Sequence, residues 1–120
     1  MARIMIVDDS DAIRMVLKDI ITIGKHECVS EAGNGLEAIE QFKKNDPDLI
    51  LLDMTMPKKD GLDVLKEIIS IKPTAKIIMI TATDNQSIIM QCVKEGAAAY
   101  ILKPFNFEDV LSKISQVLTA

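Results

Sequence analysis

The sequence predicts an α/β fold, a doubly wound (βα)5 unit whose strands form a parallel five-stranded sheet. Three observations carry this expectation. Short apolar runs recur five times along the 120 residues. Longer stretches with helical apolar spacing separate them. Capping residues and glycines mark the ends of those stretches. A chain of this length suits one domain and buries about two-thirds of the surface it exposes when unfolded. Residues 1–120 are therefore read as a single domain.

The first strand is the run at residues 4–7, which ends abruptly in Asp8 and Asp9. Ile13, Val16, Leu17, Ile20 and Ile21 then draw one apolar stripe at i, i+3, i+4, i+7 and i+8, and Gly24 sits where that helix should stop. A weaker second strand covers residues 27–30. Asn34 with Glu37 opens the second helix, whose stripe is Leu36, Ile39 and Phe42. Asn34-Gly35 would suggest a hairpin, but a helix follows, so the pair is read as a loop and an N-cap. The third strand spans residues 49–52, and a helix capped by Asp60 follows, with Leu62, Leu65, Ile68 and Ile69 inward. The fourth strand spans residues 77–80. Asp84 is expected to cap the next helix, with Ile88, Ile89, Cys92 and Val93 inward and Gly96 at its stop. The fifth strand spans residues 100–102. Asn106 with Asp109 opens the last helix, whose stripe is Phe107, Val110, Leu111, Ile114, Val117 and Leu118.

Apolar strands joined by crossover helices imply a sheet covered on both faces. The expected strand order is the flavodoxin-like 2-1-3-4-5. Composition narrows the function. A net charge of −4 without a basic, aromatic-studded stripe argues against nucleic acid. No apolar run is long enough for a signal peptide or membrane span, so a reduced cytoplasmic setting is expected. Cys28 and Cys92 lie far apart, with no metal-ligand spacing, and are read as buried thiols. His26, the single histidine, is read as a solvated turn residue.

Chemistry gathers at the strand ends. Open parallel sheets bind ligands beyond the carboxyl ends of their strands. Asp8 and Asp9 follow the first strand, Asp53 the third, Thr81 the fourth and Lys103 the fifth. Two carboxylates about 4 Å apart repel by roughly 4 kcal/mol at an effective dielectric near 20, so a positive partner is called for. Oxygen donors without a His or Cys cluster favour a hard cation such as Mg²⁺ over Zn²⁺. A carboxylate, a divalent ion, a lysine and a hydroxyl together suit phosphoryl transfer, with Asp53 as the nucleophile that forms an acyl phosphate. Lys103 and the metal would steady the charge on the transferring oxygens.

The stretches "IVDDS", "LLDMTMPKKDG", "ITA" and "YILKPF" resemble, in order and spacing, the receiver domains of two-component response regulators. The resemblance spans the whole chain. With no output domain attached, it points to the single-domain chemotaxis regulators. It implies that Asp53 accepts a phosphoryl group from a sensor histidine kinase. It implies that Asp8, Asp9, Asp53 and the backbone carbonyl of Thr55 serve Mg²⁺. It implies a cis Lys103-Pro104 bond and a switch pair formed by Thr81 and Tyr100. Thr55 and Thr83 fall where such domains tune dephosphorylation.

The implied protein is a phosphoacceptor switch rather than an enzyme, acting as a monomer on a downstream target such as a motor switch. A phosphorelay intermediate and a stand-alone receiver outside chemotaxis are the alternatives within the family. A Mg²⁺-dependent aspartyl-phosphate phosphatase would need a second Asp two residues after its nucleophile, where Thr55 stands. A flavin module would need a glycine- and hydroxyl-rich phosphate loop in place of "DDSD". For partner surfaces, Met90 and Tyr100 are candidates on the face of helix four, strand five and helix five. Arg14 and Met15 are candidates toward the kinase.

Overall fold

A computed structural model describes residues 1–56 and 59–119. Pro57 and Lys58, inside the longest motif, lie outside the described residues. Ten elements alternate: β1 (Arg3–Val7), α1 (Asp11–Ile23), β2 (Glu27–Ala32), α2 (Gly35–Asn45), β3 (Leu49–Asp53), α3 (Gly61–Ile71), β4 (Ile77–Thr81), α4 (Gln86–Lys94), β5 (Ala99–Leu102) and α5 (Phe107–Thr119). The strands pair in parallel in the order β2-β1-β3-β4-β5, as the sequence predicts. The chain leaves β1 for β2 on one side and returns to β3 on the other. The crevice of this fold therefore opens between β1 and β3.

Side-chain alternation along the strands builds two cores. Met5, Val7, Ile50, Leu52, Ile77 and Met79 meet α2, α3 and α4 on one face. Ile4, Ile6, Leu49, Leu51, Ile78 and Ile80 meet α1 and α5 on the other. β1, β3 and β4 are apolar on both faces because helices cover both. Among the described residues no helix is long and apolar enough to cross a membrane.

The helical stripes are narrower than their spacing suggests. Leu17, Ile20 and Ile21 are buried on α1, while Val16 is exposed. Leu36, Val93 and Phe107 are likewise exposed, each at the margin of its stripe. A helix packed on a flat sheet hides little more than two residues per turn, so an i, i+3, i+4 pattern overcounts its edges. β2 runs two residues further than expected because Ile6 and Val7 pair with Glu31 and Ala32 past an irregularity in register.

One cap also moves. Asn85, not Asp84, caps α4, accepting from the amides of Ser87 at 2.9 Å and Ile88 at 3.3 Å. The Thr83 hydroxyl accepts from the Asn85 amide at 3.1 Å, a local turn that shifts the helix start by one residue. Asn34, Asp60 and Asn106 accept from the amides of Glu37, Asp63 and Asp109, as their spacing predicts.

His26 is half-buried rather than solvated. Its Nδ1 accepts the Ala2 amide at 3.0 Å, and burial first, then the terminal charge, hold its pKa below the ordinary value. Cys92 is buried, but Cys28 is only half-buried, because β2 is an edge strand.

Candidate functional site

Three carboxylates converge beyond the ends of β1 and β3. One oxygen from each of Asp8, Asp9 and Asp53 can be chosen so that all lie within 4.8 Å of one another. Asp8 and Asp53 are buried and Asp9 is exposed, so the cluster opens to solvent on one side. Each acid owes its place to local structure. β1 stops at Val7, and the Asp8 amide still bonds the Ala32 carbonyl of β2 at 3.1 Å. The Asp8 carboxylate accepts the Ser10 amide at 2.9 Å, and the Ser10 hydroxyl caps α1 by accepting the Ile13 amide at 3.2 Å. Ser10 is a cap that the sequence reading missed, although a serine two residues past a strand-end Asp is a usable signal.

Asp53 is the last residue of β3, and the backbone beyond it is drawn back against α3. The Gly61 amide bonds the Met54 carbonyl at 2.8 Å, and a Cβ at Gly61 would overlap the Asp53 carbonyl oxygen. Gly61→Ala is therefore expected to cost about 2 kcal/mol and to displace the Asp53 backbone, read by thermal melting and by the Asp53 amide shift.

Lys103 reaches the cluster from the end of β5. Its ammonium lies 3.1 Å from Asp8 Oδ2 and 3.3 Å from Asp53 Oδ1, tying β5 to β1 and β3. The Lys103-Pro104 bond is cis, and the Lys103 amide bonds the Thr81 carbonyl at 2.8 Å. Burial works to lower the Lys103 pKa. The hydrogen bonds and charges of the two carboxylates outweigh it, so the pKa stands above the ordinary lysine value. Burial first, then the Asp8 charge, raise the pKa of Asp53; Lys103 and the Thr55 amide oppose this without cancelling it. The pocket thus holds three acids against one ammonium among the described residues. That excess of oxygen donors fits a hard divalent cation.

Thr81 ends β4 and is buried, with its hydroxyl accepting the Thr83 amide at 3.1 Å. Tyr100 pairs in register with Met79, so it shares a sheet face with Thr81 and is half-buried there. Thr55 is exposed, with its amide toward Asp53, and Thr83 is half-buried, with its amide bonded to the Thr81 hydroxyl. Met90 on α4 and Met15 on α1 are exposed, as expected of surface residues.

Arg14 is not a free surface residue. Its guanidinium bonds the Asp8 carbonyl at 2.5 Å and the Glu31 carboxylate at 3.2 Å, and pairs with Asp11. The helical spacing placed Arg14 off the apolar stripe correctly, but the neighbouring strand β2 covers that flank of α1. Beside Lys103 lies an apolar cleft of about 510 Å³ lined by Ile13, Val16, Ala82, Pro104 and Phe105.

The sequence and the fold both match known proteins. The sequence profile of the response regulator receiver domain matches residues 4–115. The chemotaxis protein CheY of Thermotoga maritima is 44% identical over 115 residues, covering 96% of each chain. CheY of Bacillus subtilis is 44% identical over 116 residues, covering 97% of each chain. A crystal structure of a CheX-CheY-BeF3-Mg²⁺ complex from Borrelia burgdorferi superposes with a TM-score of 0.94 at 32% identity, covering 96% of this chain and 87% of that one.

Proposed function

This chain belongs to the response regulator receiver family, and from that premise we propose that it is a chemotaxis switch phosphorylated on Asp53 with Mg²⁺. The observation that carries the reading is the convergence of Asp8, Asp9 and Asp53 on Lys103 at the carboxyl edge of the sheet. Asp53 is the phosphoacceptor: it ends β3 in the stretch that matches the receiver family, and it lies beside the other carboxylates and the Lys103 ammonium. Asp8, Asp9 and Asp53 hold the cation, with the Thr55 carbonyl as a further donor. Mg²⁺, when bound, supplies positive charge to the oxygens around Asp53.

The remaining residues act on the phosphoryl group once it is attached. Lys103 gives up part of its contact with Asp53 and turns to the new oxygens. The Thr81 hydroxyl donates one hydrogen bond to them. A phosphoryl group adds up to about two negative charges, and it favours whichever arrangement brings Thr81 and Lys103 nearest. Tyr100, on the same sheet face as Thr81, follows it inward, and the surface of α4, β5 and α5 around Met90 changes with it. Thr55 and Thr83 tune the lifetime of the acyl phosphate.

The donor is a sensor histidine kinase of the CheA type, which meets the exposed Met15 and the apolar cleft beside Lys103. The target is a motor component, reached by a monomeric receiver in the cytoplasm. The protein is a switch that assists its own phosphorylation rather than an enzyme with an external substrate.

Incubation with acetyl phosphate tests the reading. Intact mass is expected to rise by one phosphoryl group with Mg²⁺ present, and to stay unchanged when EDTA replaces the metal. A gain that is equal in both conditions would contradict the metal-assisted reaction.

A further inference from the structure

We propose that Arg14 is a positioning residue for the acid pocket, acting through the Asp8 main chain rather than through any carboxylate of the cluster. The inference rests on the reading of that cluster as a Mg²⁺ site. The Asp8 carbonyl belongs to the peptide that joins Asp8 to Asp9. The rotation of that unit sets where both carboxylates stand. The Asp8 main chain is pinned on both sides of its Cα, to different elements. The Asp8 amide bonds the Ala32 carbonyl on β2 at 3.1 Å, and the Asp8 carbonyl accepts from Arg14 Nη1 on α1 at 2.5 Å.

Arg14 is itself held in place. Its Nε donates to Glu31 Oε1 at 3.2 Å; the other oxygen, Oε2, serves a separate pair with Lys18 Nζ at 2.8 Å that Arg14 does not share. The Arg14 side chain is 17% exposed. Gly33 lies beside it, where an added Cβ would stand 3.4 Å from Nη1. A planar fork can serve a carbonyl and two carboxylates at once, whereas an ammonium is a point charge without that fixed geometry. The ion pairs of Arg14 are with Asp11 and Glu31; among the described residues it has none with Asp8, Asp9 or Asp53. It therefore braces the peptide without competing for the oxygens a cation needs. The Glu31 pair is partly solvated and adds little stability of its own, so the contribution of Arg14 lies in geometry.

Mg²⁺ titration of ¹⁵N-labelled protein, with hydrogen exchange measured before metal is added, tests this. Arg14→Gln is expected to raise the half-saturating Mg²⁺ concentration about tenfold, the scale of lost support around a metal ligand. It should also speed amide exchange at Asp8 and Ser10, whose amides bond the Ala32 carbonyl and the Asp8 carboxylate, in the metal-free protein. Arg14→Lys, which keeps the charge beside Glu31, should fall between Arg14→Gln and wild type, and it serves if Arg14→Gln does not fold. Lys18→Met removes the neighbouring ion pair but leaves the Asp8 carbonyl bonded, so it should change neither readout. Wild-type Mg²⁺ affinity in both Arg14 variants overturns the proposal, as does an equal loss in Lys18→Met. If the wild-type protein itself gives no response to Mg²⁺, the underlying reading fails instead.

Discussion

Asp53→Asn is expected to remain folded, to take up no phosphoryl group from acetyl phosphate, and to be more stable than wild type in metal-free buffer at neutral pH. The first result follows from chemistry, since an amide is no nucleophile for forming an acyl phosphate. The second follows from environment. Burial, and then the charge of Asp8, raise the Asp53 pKa, so the native state binds the proton more tightly than the unfolded chain does. Ionised Asp53 therefore costs stability above its folded pKa, and that cost is relieved as pH falls through it. A neutral isostere removes the cost at pH 7. Saturating Mg²⁺ should reverse the order, because ligand binding stabilises the state that binds it and wild type keeps the full donor set. Denaturant melts with EDTA and with Mg²⁺, alongside intact mass, read all three effects. A less stable Asp53→Asn protein in EDTA would contradict the account of a crowded pocket.

Lys103→Met should have the opposite effect on stability. Asp8 and Asp53 are buried, and Lys103 is the cation within 3.3 Å of both among the described residues. Removing one partner of a buried ion pair leaves uncompensated charge behind. Because Lys103 is partly solvated, the expected loss is at the low end, about 2 kcal/mol, or roughly 8 °C in Tm. Part of that loss should return with Mg²⁺, which replaces the missing positive charge. Function should not return with it. Removing a donor aimed at developing charge costs on the order of a hundredfold in rate, so phosphorylation by acetyl phosphate should slow by about that factor even with saturating metal. Thermal melts and the phosphorylation time course measure the two effects separately.

The strand ends explain why so much was legible beforehand. Asp8, Asp9, Asp53, Thr81 and Lys103 each follow an apolar run, and in a parallel sheet every such run ends at the same edge. Their assembly is thus a property of topology, and topology follows from the alternation of runs and stripes. The errors fall where a side chain's fate depends on a neighbouring element. Val16, Leu36, Val93 and Phe107 match the helical period yet sit at the margins of helix–sheet contact. Asp84 lost the cap to Asn85 because the Thr83 hydroxyl organises the turn before it. Arg14 was taken as surface because its own helix gives no sign of Glu31 or the Asp8 carbonyl, which come from another strand and from an earlier loop. His26 was taken as solvated because its partner, the Ala2 amide, is distant in sequence. Arg14 and His26 were missed through long-range contacts that local periodicity does not encode, whereas the α4 cap turned on a contact only two residues away.

The central claim is that Asp53 itself carries the phosphoryl group. Borohydride reduction of protein treated with acetyl phosphate and Mg²⁺, followed by peptide mapping, tests it most directly. Reduction of an acyl phosphate converts the aspartate to homoserine. The account predicts that conversion at Asp53 and nowhere else, and its loss in EDTA. Homoserine at Asp8 or Asp9, or a phosphoryl group that survives borohydride on a hydroxyl or imidazole side chain, would contradict it.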